Sequence, residues 1–147
     1  MARRAVLRRL LIVAVAALAV AGCGGDARLS HEAYQRVLTR EVAQLGARIV
    51  AAGNDAKTAT AVQRAVDASA DRLAKLRPPS DAAGANDSLV RALRAYALDL
   101  GDFALDAKSL PTSELRESQS RLARSPAVID IQRAEADLRR AGYSLTP

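Results

Sequence analysis

Asp99, Asp102 and Asp106 recur at spacings of three and four, which places three carboxylates in a row along one helix face. Such a row repels itself and has two chemical uses. It can offer oxygen ligands to a hard cation, although calcium gathers about six to eight oxygens and one rigid helix brings only three side chains. Alternatively it lies against arginines of a neighbouring helix, with Arg116, Arg121 and Arg124 the candidates, as partly exposed ion pairs. The ion pairs are the expected arrangement, and Asp99, Asp102 and Asp106 are kept as a cation candidate. His31 is the one histidine and stands beside Glu32. A carboxylate-bridged di-iron site needs Glu-x-x-His on two helices, and haem attachment needs Cys-x-x-Cys-His. A serine hydrolase needs a histidine oriented by an acid and close to a serine. None of these spacings occurs, so His31 is expected as an exposed first-turn residue, with no catalytic residue, metal or cofactor implied.

The single cysteine, Cys23, points to a different chemistry. It follows a basic start (Arg3, Arg4, Arg8, Arg9) and an apolar run from Leu10 to Ala21. At about 1.5 Å per residue those dozen residues reach roughly 18 Å as a helix, short of the roughly 30 Å of bilayer hydrocarbon. The pattern is therefore an export leader rather than a permanent span, with the small residues Ala21 and Gly22 before the cut. Val20-Ala21-Gly22-Cys23 resembles the lipobox of bacterial lipoprotein precursors. That resemblance implies a diacylglyceryl group on the Cys23 thiol, cleavage between Gly22 and Cys23, and an acylated Cys23 as first residue on the extracytoplasmic face of the cell membrane. More than one acyl chain gives stable anchoring where a single chain gives only reversible binding. The alternative is an ordinary secretory signal with an incidental cysteine. Arg8-Arg9 followed by Leu10-Leu11 also fits a twin-arginine signal, so the export route stays open. The chain then divides into a leader (1–22), a lipidated start and flexible tether (23–30, with Gly24-Gly25-Asp26), and a helical domain (31–147).

Charge changes meaning once the leader is set aside. The chain carries 22 Lys and Arg against 16 Asp and Glu, a net charge of +6. Four arginines and no acids precede Cys23, leaving 18 against 16, a net charge of +2. With Tyr34, Tyr96, Phe103 and Tyr143 as the only rings, nothing combines a basic cluster with stacking aromatics, and no nucleic-acid partner is implied.

The roughly 120 remaining residues suffice for one compact domain with a modest core. Apolar periodicity predicts four helical segments and no strand. The first runs from a Ser30 N-cap to about Ala52, with Leu38, Val42, Leu45, Ile49 and Ala52 as its stripe and Gly53-Asn54 as its stop. The second runs from about Asp55 to Leu76 on a thin, Ala-rich stripe (Val62, Val66, Ser69, Leu73, Leu76) and ends at Pro78-Pro79. The third runs to about Lys108 from Ser80-Asp81 or, because Gly84 and Asn86-Asp87-Ser88 are weak helix formers, from nearer Asp87. Its seam is Leu89, Leu93, Tyr96, Leu100, Phe103 and Ala107. After Leu110-Pro111 the fourth is capped by Thr112 or Ser113, with Glu114 and Glu117 in its first turn. Its two apolar sets, Leu115, Leu122, Ile129 and then Val128, Ile131, Ala134, Leu138, are out of phase, which predicts a kink or break at Ser125-Pro126, a Ser125 recap and an end at Gly142. The fold class expected is all-α, an antiparallel up-down-up-down four-helix bundle. Leu76-Arg77-Pro78-Pro79 followed by Leu89-Val90, Leu93 and Tyr96 also looks like a pattern in small helical lipoproteins of high-GC bacteria.

Leu98, Gly101 and Leu105 form a second apolar line on the third helix, roughly opposite the seam. Either that helix is central and the broken fourth segment covers the line, or the line is an exposed contact surface for an envelope protein. Gly46, near the core edge of the first helix, either permits close helix approach or loosens the helix. The expected role is a non-enzymatic interaction or accessory module of the cell envelope. The alternative is a carrier or sensor holding a small apolar or cationic ligand between its helices, where thin Ala-rich stripes leave room.

Overall fold

A computed structural model describes residues 27–52 and 58–145. Leader, lipobox and Cys23 lie outside the described residues, as do the expected helix stop at Gly53-Asn54 and the expected start at Asp55. The described residues contain five α-helices and no strand: α1 (His31–Ala52), α2 (Ala59–Ala74), α3 (Ala83–Ser109), α4 (Thr112–Leu122) and α5 (Pro126–Arg140). The fourth expected segment is thus two helices, broken at the predicted place. Ser125, with extended backbone, accepts the Val128 N–H through its side chain, and Pro126 occupies the first turn, where its missing N–H costs nothing.

Local chemistry explains most ends. The Ser30 hydroxyl accepts the Ala33 N–H at 3.2 Å and caps α1. Gly142 adopts φ +90°, the Gly142 N–H bonds Arg139 C=O, and the Tyr143 N–H bonds Leu138 C=O, both at 3.0 Å. This is a Schellman closure of α5, and it needs a residue without a Cβ at Gly142. At α4 the expected cap is corrected. Pro111 is the N-cap with no side-chain bond, Thr112 and Ser113 lie inside the first turn, and only Glu114 of the two glutamates is in that turn. The rigid φ of Pro111 sets the chain direction there, so a capping hydroxyl is not required.

The long α3 is the hub: α2, α4 and α5 pack on it, and α1 packs on α2. The core gathers Tyr34 and Leu38 of α1, Val66, Ala70 and Leu73 of α2, Leu89, Leu93 and Leu100 of α3, and Ala134 and Leu138 of α5. Tyr143 and Leu145, beyond α5, join it. The α1 stripe fades along its length: Leu38 is buried, Val42 and Leu45 are half-buried, and Ile49 is 43 % exposed. Gly46 faces open space, so it makes no close helix approach here.

Asn86 explains why α3 starts at Ala83 rather than after its weak helix formers. It is fully buried, accepts the Tyr34 hydroxyl at 2.9 Å and donates to Leu73 C=O at 3.4 Å, tying α1, α2 and α3 at one point. Tertiary hydrogen bonds outweigh its unfavourable helix propensity.

The tether needs a correction. Residues 28 and 29 are held, because the Leu29 N–H donates to Arg77 C=O at 2.7 Å and Arg28 Nη1 donates to Pro78 C=O at 3.0 Å. Leu29 also packs on the core. The two prolines break the helix and turn carbonyls outward, and those carbonyls dock the incoming chain.

Candidate functional site

Where the α1 stripe fades, a cavity of about 210 Å³ opens between α1, α2, α3 and α5. Leu38, Val42, Leu45 and Ile49 form its α1 wall, and Val66 and Leu73, Leu89, Leu93 and Tyr96, and Ile131 and Leu145 line the rest of a half-open space. The cause is compositional. α2 presents Val66, Ser69 and Leu73 to this space, and the short Ser69 side chain leaves volume that a leucine would occupy.

Four polar side chains, Glu41, Ser69, Tyr96 and Glu135, border this space, and two carry charge. Glu41 is buried, yet Arg72 grips it through two N–H bonds of 2.8 Å and Ser69 Oγ donates to it at 3.0 Å. Burial alone would raise its pKa; the hydrogen bonds from Arg72 and Ser69 and the charges of Arg72 and Arg40 outweigh this and hold it below the ordinary carboxylate range. Glu135 pairs with Arg139 at 3.2 Å one helical turn away. The Tyr96 hydroxyl is raised above its usual range by burial and then by the Asp99 charge, so it stays protonated. With both carboxylates neutralised from within, the cavity suits an apolar guest and not a cation.

The aspartate row lies in a separate cleft between α3 and α4. Asp106 accepts the Ser118 hydroxyl at 2.5 Å and stands 4.0 Å from Arg121 Nη2. Of the three arginines expected there, Arg121 alone reaches the row; Arg124 turns to Ser120 C=O. Among the described residues no three His, Cys, Asp or Glu converge as metal ligands, Asp99, Asp102 and Asp106 included. A straight helix holds its successive carboxylates about one turn apart, and α4 adds a hydroxyl and a guanidinium rather than more acid oxygens.

Leu98 is 71 % exposed and Leu105 64 % exposed. Of the two alternatives for this line, cover by the fourth segment does not occur: α2, α4 and α5 all pack on α3, and the line stays exposed. Gly101 lies under the Gln63 side chain, whose Nε2 would come within 2.8 Å of an added Cβ. His31 is exposed, as expected, and stacks on Tyr143 with ring centroids 4.2 Å apart. Tyr143 in turn meets the edge of Tyr34 at 5.2 Å and donates to Asp81 at 3.2 Å.

Sequence reasoning missed three features. The Glu41–Arg72 pair joins α1 to α2 across 31 positions, and no local spacing marks it. Tyr143 sits in a polar-looking tail, and only the glycine before it signals the turn that delivers it to the core. The third is the outward face of α1. Arg36, Arg40 and Arg48 are exposed and make no hydrogen bond or ion pair with another described residue, while Ala43, Ala47, Val50 and Ala51 between and beyond them are exposed too. Val50 is 80 % exposed.

None of the helices among the described residues is long and apolar enough to cross a membrane. Comparison with protein-family models, with curated proteins and with solved structures gives no match for this chain.

Proposed function

We propose that this chain is a non-enzymatic carrier or sensor of a small apolar ligand, anchored through Cys23 to the extracytoplasmic face of the cell membrane. Its helices form an antiparallel up-down-up-down bundle with the fourth segment broken. The cavity of about 210 Å³ carries this reading. An enclosed apolar cavity of about 150 Å³ stays dry and holds benzene, so this half-open space has volume for a ring or a short branched chain. The paired state of Glu41 favours an apolar guest over a cationic one. Anchoring is supported by the basic start, the short apolar run and the lipobox-like Val20-Ala21-Gly22-Cys23.

Native mass spectrometry of the protein extracted from membranes tests the carrier. A small non-covalent mass should leave on denaturation and be absent from Leu45→Phe, whose ring fills the cavity while the thermal melt stays cooperative. No bound mass, together with no thermal shift from small aromatics or alkyl alcohols, would sink it. The anchor is tested separately by the intact mass, since a free Cys23 thiol rules it out.

A second reading, an accessory module that captures an envelope protein, rests on the exposure of Leu98 and Leu105 beside Gly101.

A further inference from the structure

We infer that the outward face of α1 lies on an anionic phospholipid surface, the membrane that carries the anchor, and so fixes the orientation of the domain; this rests on acylation of Cys23. The first support is reach. Leu29 is bonded to Arg77 C=O beside the start of α1, and the six residue steps from Cys23 to Leu29 span at most about 20 Å fully extended. Acylation of Cys23 would therefore hold the first turn of α1 within that distance of the lipid headgroups. At 22 residues α1 is about 33 Å long, enough to lie along the surface from that point.

The second support is the chemistry of the face. Arg36 and Arg40 are exposed on the side of α1 away from the core, Arg48 flanks them, and among the described residues none of the three has a hydrogen bond or ion pair, although the Arg40 charge acts on Glu41. The acids of α1 are two: Glu41 is buried and gripped by Arg72, and Glu32 stands alone at the first turn. Arginine stems carry a guanidinium to phosphate while small apolar neighbours sit lower in the interface. Ala43, Ala47 and Val50 are those neighbours, exposed along the same side. Residues 42–52 are apolar around the whole helix apart from Gln44 and Arg48, a composition that a helix bathed in water on its outer side does not need.

Ala47→Cys and, as control, Gln119→Cys on α4 place one reactive thiol in the acylated protein, with a fluorophore on each. The labelled proteins are reconstituted into phosphatidylcholine vesicles with and without phosphatidylglycerol, both doped with headgroup-quenching lipid. Position 47 should be quenched several-fold more than position 119, and more so with phosphatidylglycerol. In the Arg36→Gln, Arg40→Gln, Arg48→Gln background the difference should vanish, since each arginine near an anionic surface contributes about fivefold to partitioning. Equal quenching at the two positions, or a difference untouched by the triple replacement, would overturn the inference. Failure of the anchor is distinguishable, because the protein then shows an unmodified Cys23 mass and leaves phosphatidylcholine vesicles. In that event co-sedimentation of the same protein with phosphatidylglycerol vesicles still tests the face, and binding that persists at full strength in the triple variant overturns it.

Discussion

Glu41 is the most consequential single residue among those that periodicity passes over. Its carboxylate is held below the ordinary value of 4.5 because the bonds from Arg72 and Ser69 outweigh burial. A folded-state pKa that is lowered contributes stability above the unfolded value and loses it as pH falls through the folded one. Acid titration of the unfolding free energy should therefore show a decline beginning below about pH 4.5 that Glu41→Gln flattens. At neutral pH that variant should be less stable by about 1–2 kcal/mol, discounted because the Arg72 side chain is 44 % exposed. A parallel decline in both proteins would show that other carboxylates set the acid limit. Tyr34→Phe removes the donor to Asn86 Oδ1 and leaves that oxygen buried without its 2.9 Å bond. A loss of about 1–3 kcal/mol in the urea midpoint analysis is expected, because an unsatisfied buried acceptor is the costly case. Neither residue was legible as a site in the sequence. A lone Glu on a mostly apolar face, or an Asn near a helix start, gains meaning only when the fold supplies its partner.

The helices themselves were far more legible, and the reasons are local. Ser30 and Ser125 cap as their sequence positions imply, α2 ends at Ala74, two residues short of the expected Leu76 and ahead of the double proline, and Gly142 closes α5 with the positive φ that only glycine adopts freely. The break at Ser125-Pro126 follows from two apolar sets that cannot share one face. Ser125→Ala should cost about 0.5–1 kcal/mol of thermal stability by removing the side-chain acceptor of the Val128 N–H, which keeps the Ser125 C=O at 3.1 Å, whereas Ser120→Ala, whose hydroxyl only bonds back to Arg116 C=O, should be near neutral. Equal effects of the two would mean that Pro126 alone defines the start of α5. Less legible was which way each stripe would be used. The line of Leu98 and Leu105 has the same spacing as a buried seam, and nothing in it tells that α4 and α5 pack elsewhere on α3. Leu98→Asp with Leu105→Asp should leave the melt within about 0.5 kcal/mol of the parent. Loss of a membrane protein crosslinked to the parent would then assign the line to a partner, and collapse of the fold would show the leucines to be core.

Among the described residues, the contacts that tie α1 to the chain ends and to the proline break gather at its first turns. Near its first turns Leu29 bonds the proline break, Tyr34 bonds Asn86, His31 stacks on Tyr143, and Gln35 clasps the Ser144 backbone with bonds of 2.6 and 2.8 Å. Toward Ala52 the same helix presents a half-buried Leu45 and an exposed Ile49 to the cavity. All-helical architecture and a break in the last segment could be read from periodicity, but an unfilled space could not, because packing density depends on how far apart the folded helices come to rest. α1 is thus built like a door, with its jamb at Tyr34 and its free edge beyond Leu45. On the proposed carrier reading, displacement of that edge would be the route to the cavity that leaves α2, α3 and α5 packed. Amide hydrogen exchange should register this as a gradient, with protection highest near Leu38 and falling steadily along the two turns after Leu45; uniform protection along α1 would mean the door is shut.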